Sequence, residues 1–142
     1  MSKIFILLLM IPFAWGCDSG SANYKNPNIP NYAVNLQINL DFPLYSDLKF
    51  PSNHVVDYSQ GARGIVIFNS GNSYLAYDLA CPNQPYNSCT SPMEIPQNDP
   101  LSAKCSCDNT VYSLYTGMSP GQPYGMKQYR VEINGNYLTV YN

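Results

Sequence analysis

The sequence predicts an all-β domain, a small antiparallel sandwich or barrel. Three observations point there. Two stretches alternate apolar and polar residues with a period of two, Val34 to Leu40 and Tyr129 to Ile133. Ile65 to Phe68 is an uninterrupted apolar run dominated by β-branched residues, suited to a strand buried on both faces. The composition favours strands and turns over helices: 16 Asn, 14 Ser, 13 Tyr, 12 Pro and 9 Gly in 142 residues, with no convincing amphipathic helix in the body of the chain.

In chain order, Val34, Leu36, Ile38 and Leu40 form the apolar face of a first strand. Pro43 and Pro51 bracket Leu44 to Phe50, which reads as a loop or a short helical turn, and Val55 to Tyr58 reads as a short strand. Ile65 to Phe68 and Tyr74 to Asp78 form a hairpin around Ser70-Gly71-Asn72. Residues 81–100 carry five prolines and no period, so a long loop is expected. Thr110 to Tyr115 resumes strand character, and Pro120 to Gly125 is a Gly/Pro loop. Tyr129 to Ile133 and Tyr137 to Tyr141 form a closing hairpin, with Asn134-Gly135 as its turn signal.

The first 16 residues read as a secretory signal peptide: Lys3, an apolar run from Ile4 to Phe13 broken only by Pro12, then Ala14-Trp15-Gly16. The run falls short of the roughly 20 apolar residues of a membrane span. Cys17 directly follows Gly16. This arrangement resembles the lipobox of bacterial lipoproteins, which implies cleavage before Cys17, lipid on its thiol, and a membrane anchor in the cell envelope. Inner and outer membrane are left open. Residues 17–31 are polar and rich in Ser, Asn and Pro, and are expected to be a flexible tether ahead of a domain spanning 32–142. Cleavage would leave six basic against nine acidic side chains, a net charge of −3. Charged residues are only 11% of the chain, so it lacks the dense basic stripe that phosphate backbones require, and nucleic acid is not an expected partner.

Four further cysteines, Cys81, Cys89, Cys105 and Cys107, fall within 27 residues of one another. An even number in an exported domain reads as two disulfides, with three connectivities open.

The order of these residues resembles the two boxes of a Rieske iron–sulfur domain, Cys-x-His and Cys-x-x-His. Here they are Cys81-Pro82-Asn83 and Cys105-Ser106-Cys107-Asp108, separated by 21 residues. Downstream, Tyr112-Ser113-Leu114 and Thr116-Gly117 keep the register of that family, and a Gly/Pro loop leads to a closing hairpin. The resemblance covers residues 33–142 and implies a Rieske-like iron–sulfur-protein fold. It also exposes a departure. A Rieske cluster takes two Cys and two His, whereas the His positions hold Asn83 and Asp108, and the one histidine, His54, is far from both boxes. A standard cluster cannot form, so no cofactor is expected. The resemblance further implies a Cys89–Cys107 disulfide, as in the respiratory members of the family. It places Cys81 and Cys105 together as former ligands of one iron, adjacent thiols that would oxidise to a second disulfide.

Two other uses of the cysteines compete with this reading. All four could ligate a [2Fe–2S] cluster, making the chain an electron carrier. Alternatively, Cys105-Ser106-Cys107 could be a thiol–disulfide exchange pair, with Lys104 favouring the thiolate and Asp108 opposing it. Other chemistry is sparse. His54 alone makes no zinc site. Asp41, Asp47, Asp57 and Asp78 show no spacing that demands acid–base work, although Asp57 and Asp78 could meet across strands. Asp99 lacks the ligand spacing of a calcium loop. The tyrosines suit sheet faces. The expectation is a non-enzymatic binding or assembly component of the envelope, whose partner is a membrane through Cys17 and an envelope protein or ligand that the sequence does not identify.

Overall fold

The computed structural model describes residues 25–142. The expected signal peptide, 1–16, and the expected lipid-attachment position, Cys17, lie outside the described residues. Eight strands follow in order: β1 (Asn35–Asn39), β2 (His54–Asp57), β3 (Ile65–Asn69), β4 (Tyr74–Asp78), β5 (Ser102–Lys104), β6 (Val111–Ser113), β7 (Gln128–Asn134) and β8 (Tyr137–Tyr141). A 3-10 helix, Pro43–Lys49, sits between β1 and β2. Six strands form one curled antiparallel sheet in the order β1-β8-β7-β4-β3-β2, and β5 and β6 form a separate ribbon. The fold is all-β and antiparallel.

Local chemistry accounts for the elements. Pro43 opens the 3-10 helix, where its missing N–H costs nothing. Pro51 holds Phe50 extended and ends it. Leu48 alone of that helix is buried. The alternation in β1 buries Leu36 and Ile38 and leaves Asn35 and Gln37 exposed. β3 is buried along its whole length, and its residues serve two cores. Ile65 and Ile67 pack with Leu36, Ile38, Leu48, Leu138 and Val140. Val66 and Phe68 pack on the other side with Tyr77, Leu79, Met93, Tyr112 and Leu114, together with three of the cysteines. Each such large apolar side chain contributes about 1.5–3 kcal/mol on burial.

Three expectations need correction. The closing turn is centred on Gly135-Asn136, since Asn134 still pairs with Tyr137. Gly135 has φ +60° and Asn136 is not in the left-handed region, the Gly-first form of a two-residue hairpin loop. Strand β5 was not anticipated; three residues are too few to show a period, and it exists because Ser102–Lys104 pairs with Val111–Ser113. The segment expected to be a tether through residue 31 is docked from Asn26 onward. Asn26 and Ile29 are buried, and the Asn26 and Asn28 amides both donate to the Pro82 carbonyl, at 2.7 and 2.9 Å. Lys127 Nζ donates to the Pro30 carbonyl and Asn31 Oδ1, and Asn142 donates to the Tyr32 carbonyl. The folded body therefore starts before residue 32.

Antiparallel pairing decides what meets at each end of the sheet. The start of β1 lies beside the end of β8, and the end of β4 beside the start of β7. The docked N-terminal strap, the C-terminus and the loop leaving β4 toward Cys81 thus gather at one end. His54, the β3–β4 hairpin and the β7–β8 turn lie at the other.

Candidate functional site

One cysteine-bearing loop leaves the sheet at the end of β4, and the other joins the two strands of the separate β5–β6 ribbon. β4 delivers the chain through buried Leu79 and Ala80 to Cys81, and a backbone bond from Met93 N–H to the Leu79 carbonyl at 2.6 Å closes the loop's return. The second loop is the connection from β5 to β6. Cys105 N–H donates to the Thr110 carbonyl and Asn109 N–H to the Cys105 carbonyl, with Asn109 in the left-handed region at φ +61°, which Asn tolerates better than most residues.

The structure joins Cys81 to Cys105 and Cys89 to Cys107, with Cα separations of 5.5 and 6.0 Å. The four sulfurs lie within 4.8 Å of one another. Cys81, Cys89 and Cys105 are buried, and Cys107 is exposed. Each disulfide closes a loop of roughly 20 residues, for which chain entropy gives about 3 kcal/mol.

Asn83 and Asp108 are each engaged within the protein. Asn83 Nδ2 donates to Tyr112 Oη and to the Tyr124 carbonyl, both at 2.8 Å, and its Oδ1 accepts from Tyr124 N–H at 3.1 Å. The side chain is a clasp that ties the first cysteine loop to β6 and to the Gly/Pro loop at 120–125. Asp108 Oδ1 accepts from Thr110 N–H at 2.9 Å, and Oδ2 accepts from Gln84 Nε2 at 2.8 Å, so it ties one cysteine loop to the other. Burial alone would raise the Asp108 carboxyl, but the bonds from Thr110 and Gln84 outweigh it and hold the group below the usual 3.8.

These residues do not fit a two-Cys, two-His cluster. Neither loop offers an imidazole, His54 stands at the opposite end of the sheet, and all four thiols are joined in pairs. Among the described residues the four cysteines are the one group of three or more His, Cys, Asp or Glu side chains close enough to share an ion. Asp99 lies in an exposed turn at 96–99. Lys104 pairs through its backbone with Glu94. Asp41 pairs with Lys49 on the surface at 2.8 Å. Asp57 and Asp78 do not meet, because Ile65 of β3 stands between them as a partner of both.

Sequence reasoning missed a polar hub beside the first loop. Asp78 is fully buried at the end of β4 and accepts from Ala62 N–H at 2.6 Å, Arg63 N–H at 3.2 Å, Ala80 N–H at 2.8 Å and Tyr129 Oη at 2.7 Å. Lys127, 2% exposed, lies 5.3 Å from the Tyr129 ring; burial lowers its pKa, and Asp78 partly offsets that. Arg63 stacks at 3.9 Å on Tyr86 and donates to that residue's carbonyl. No local pattern marks Asp78, since its partners come from two loops and a distant strand. A groove of about 280 Å³ lined by Asn69, Tyr74, Val131 and Ile133 lies at the opposite end of the sheet, away from the cysteines.

No family model and no curated protein matches the chain. Among solved structures it is similar to a chain of the complex of reduced oxygenase and oxidized ferredoxin in carbazole 1,9a-dioxygenase, at 16% identity and TM-score 0.44, covering 64% of this chain and 82% of that one. It is similar to the ferredoxin of carbazole 1,9a-dioxygenase from Nocardioides aromaticivorans IC177, at 15% and 0.41, covering 64% and 86%. It is also similar to a Sphingomonas yanoikuyae B1 ferredoxin, at 14% and 0.44, covering 66% and 88%.

Proposed function

We propose that this chain is an exported envelope lipoprotein, anchored through Cys17, whose Rieske-like domain has exchanged its cluster for a covalent and hydrogen-bonded brace and serves a non-catalytic binding or assembly role. The observation that carries this reading is Asn83. At the position where the resemblance requires a ligand imidazole, the side chain spends its donors and its acceptor on Tyr112 and Tyr124. A group committed to three protein contacts is a structural tie. The same holds for Asp108, bonded to Thr110 and Gln84. With two disulfides across the same loops, this end of the sheet is preorganised as a rigid surface, which lowers the ordering cost of binding a partner.

Two measurements test the reading. Native mass spectrometry of the exported protein, without reductant, is expected to give a mass four hydrogens below that of the reduced polypeptide, plus the lipid on Cys17. Added mass for two irons and two sulfides would overturn it in favour of an electron carrier. Cys17→Ala is expected to move the protein from the membrane fraction to the soluble one, because the acyl chains supply about 0.8 kcal/mol per buried methylene. Unchanged membrane retention would remove the anchor from the proposal.

A further inference from the structure

We infer that the two disulfides are an exchange-coupled pair, in which the exposed Cys107 is the way in and the buried Cys81–Cys105 bond is reached only through Cys89 and Cys107. Burial and proximity carry the inference together. Cys105 is 0% exposed and Cys81 4%, so the inner bond is shielded from an external thiolate. Cys107 is exposed on the β5–β6 connection. All four sulfurs lie within 4.8 Å of one another, so a thiolate freed at Cys89 is already beside the buried bond. Disulfide exchange proceeds by attack of a thiolate on a disulfide sulfur, and this juxtaposition supplies the access that step requires.

The sequence of bonds balances with a dithiol as reductant. One thiolate of the dithiol attacks Sγ of Cys107, forms a mixed disulfide, and breaks the bond to Cys89, which leaves with the electron pair as a thiolate. Cys89 then attacks the sulfur of Cys81 or Cys105. The buried bond breaks, a new bond to Cys89 forms, and the displaced cysteine leaves as a thiolate that takes up a proton. The second thiol of the dithiol resolves the mixed disulfide, leaving as the oxidised cyclic disulfide and freeing Cys107. Cys107 attacks Cys89 and restores the outer disulfide, while the other inner cysteine is released and protonated. The net result is one dithiol oxidised and the inner pair reduced, with the outer bond intact and ready for a second dithiol. The partner class is therefore a dithiol oxidoreductase or a small dithiol. This inference rests on the disulfide loops alone and holds whether or not Cys17 carries lipid.

The test uses the exported wild-type protein and one equivalent of dithiothreitol under native conditions, followed by acid quench, alkylation and peptide mapping. The expected result is a population with one disulfide remaining that contains pairings joining Cys89 to Cys81 or Cys105. A population in which only Cys81–Cys105 or Cys89–Cys107 is ever found overturns the inference. A second measurement uses the Cys89→Ser/Cys107→Ser variant, checked for its native near-ultraviolet spectrum. Its remaining inner disulfide is expected to be reduced at least about ten-fold more slowly than in wild type, because the relay is gone. An unchanged or faster rate in a natively folded variant refutes the gating. If that variant does not fold, the wild-type map decides alone.

Discussion

Replacing Asn83 by Ala removes the clasp between the first cysteine loop, β6 and the 120–125 loop. Three hydrogen bonds of 2.8, 2.8 and 3.1 Å are lost. At about 1 kcal/mol net each, and with some recovery by water because the site is only half-buried, the loss comes to about 2–3 kcal/mol. For a domain of this size that is a fall in Tm of about 10 °C. The assay is thermal unfolding followed by near-ultraviolet circular dichroism, with thiol counting to confirm that both disulfides survive. Asn83→Asp is expected to be at least as damaging at neutral pH, because an acceptor oxygen then faces the Tyr124 carbonyl, and to recover in acid as the carboxyl regains a donor proton. Asn87→Ala, at an exposed position in the same loop, is the control and is expected to stay within about 0.5 kcal/mol. If Asn83→Ala melts within about 2 °C of wild type with its disulfides intact, the disulfides alone hold the loops and the side chain is no clasp.

Other predictions rest on separate contacts. Gly117 has φ +70°, and an added Cβ would lie 2.7 Å from Tyr77 Cε1, while Gly121 has φ +75° with nothing within 4 Å. Gly117→Ala should therefore cost clearly more in denaturant unfolding than Gly121→Ala, which bears only the backbone strain of about 1–2 kcal/mol; equal losses would refute the role of the Tyr77 contact. Tyr129→Phe leaves the buried Asp78 carboxylate one donor short and should cost about 1–3 kcal/mol, read from the urea midpoint. Burial lowers the His54 pKa below 6.5, against the raising influence of Asp47 and the Pro100 backbone. The unfolded chain therefore binds the proton first, so stability is expected to fall as pH drops below about 6.5, and His54→Gln should flatten that part of the profile. Asp57 and Asp108, held below 3.8, add a second loss as pH falls through their folded-state range.

Much of the sheet was legible because its signals are local. The alternation at Leu36 and Ile38, the unbroken Ile65–Phe68 run and the prolines around the 3-10 helix each act within a few residues. Features that depend on distant partners were not legible. Ser102–Lys104 is a strand only because Val111–Ser113 lies beside it. Asn26 and Asn28 are polar residues in a polar stretch, and nothing in their neighbourhood shows that the Pro82 carbonyl, more than fifty residues on, will accept from both. The cysteine spacing marked where the site would be, whereas the role of Asn83 as a clasp required Tyr124, 41 residues away.

The position of β3 between two cores also governs how the domain comes apart. Ile65 and Ile67 belong to one core, Val66 and Phe68 to the other, and all are fully buried. Neither core can open without stripping this strand from half its contacts, so the cysteine loops and the β1–β8 side are parts of one cooperative unit. Amide protons of β3 should thus exchange with solvent only through global unfolding, and a lesion in either core is felt by the whole domain.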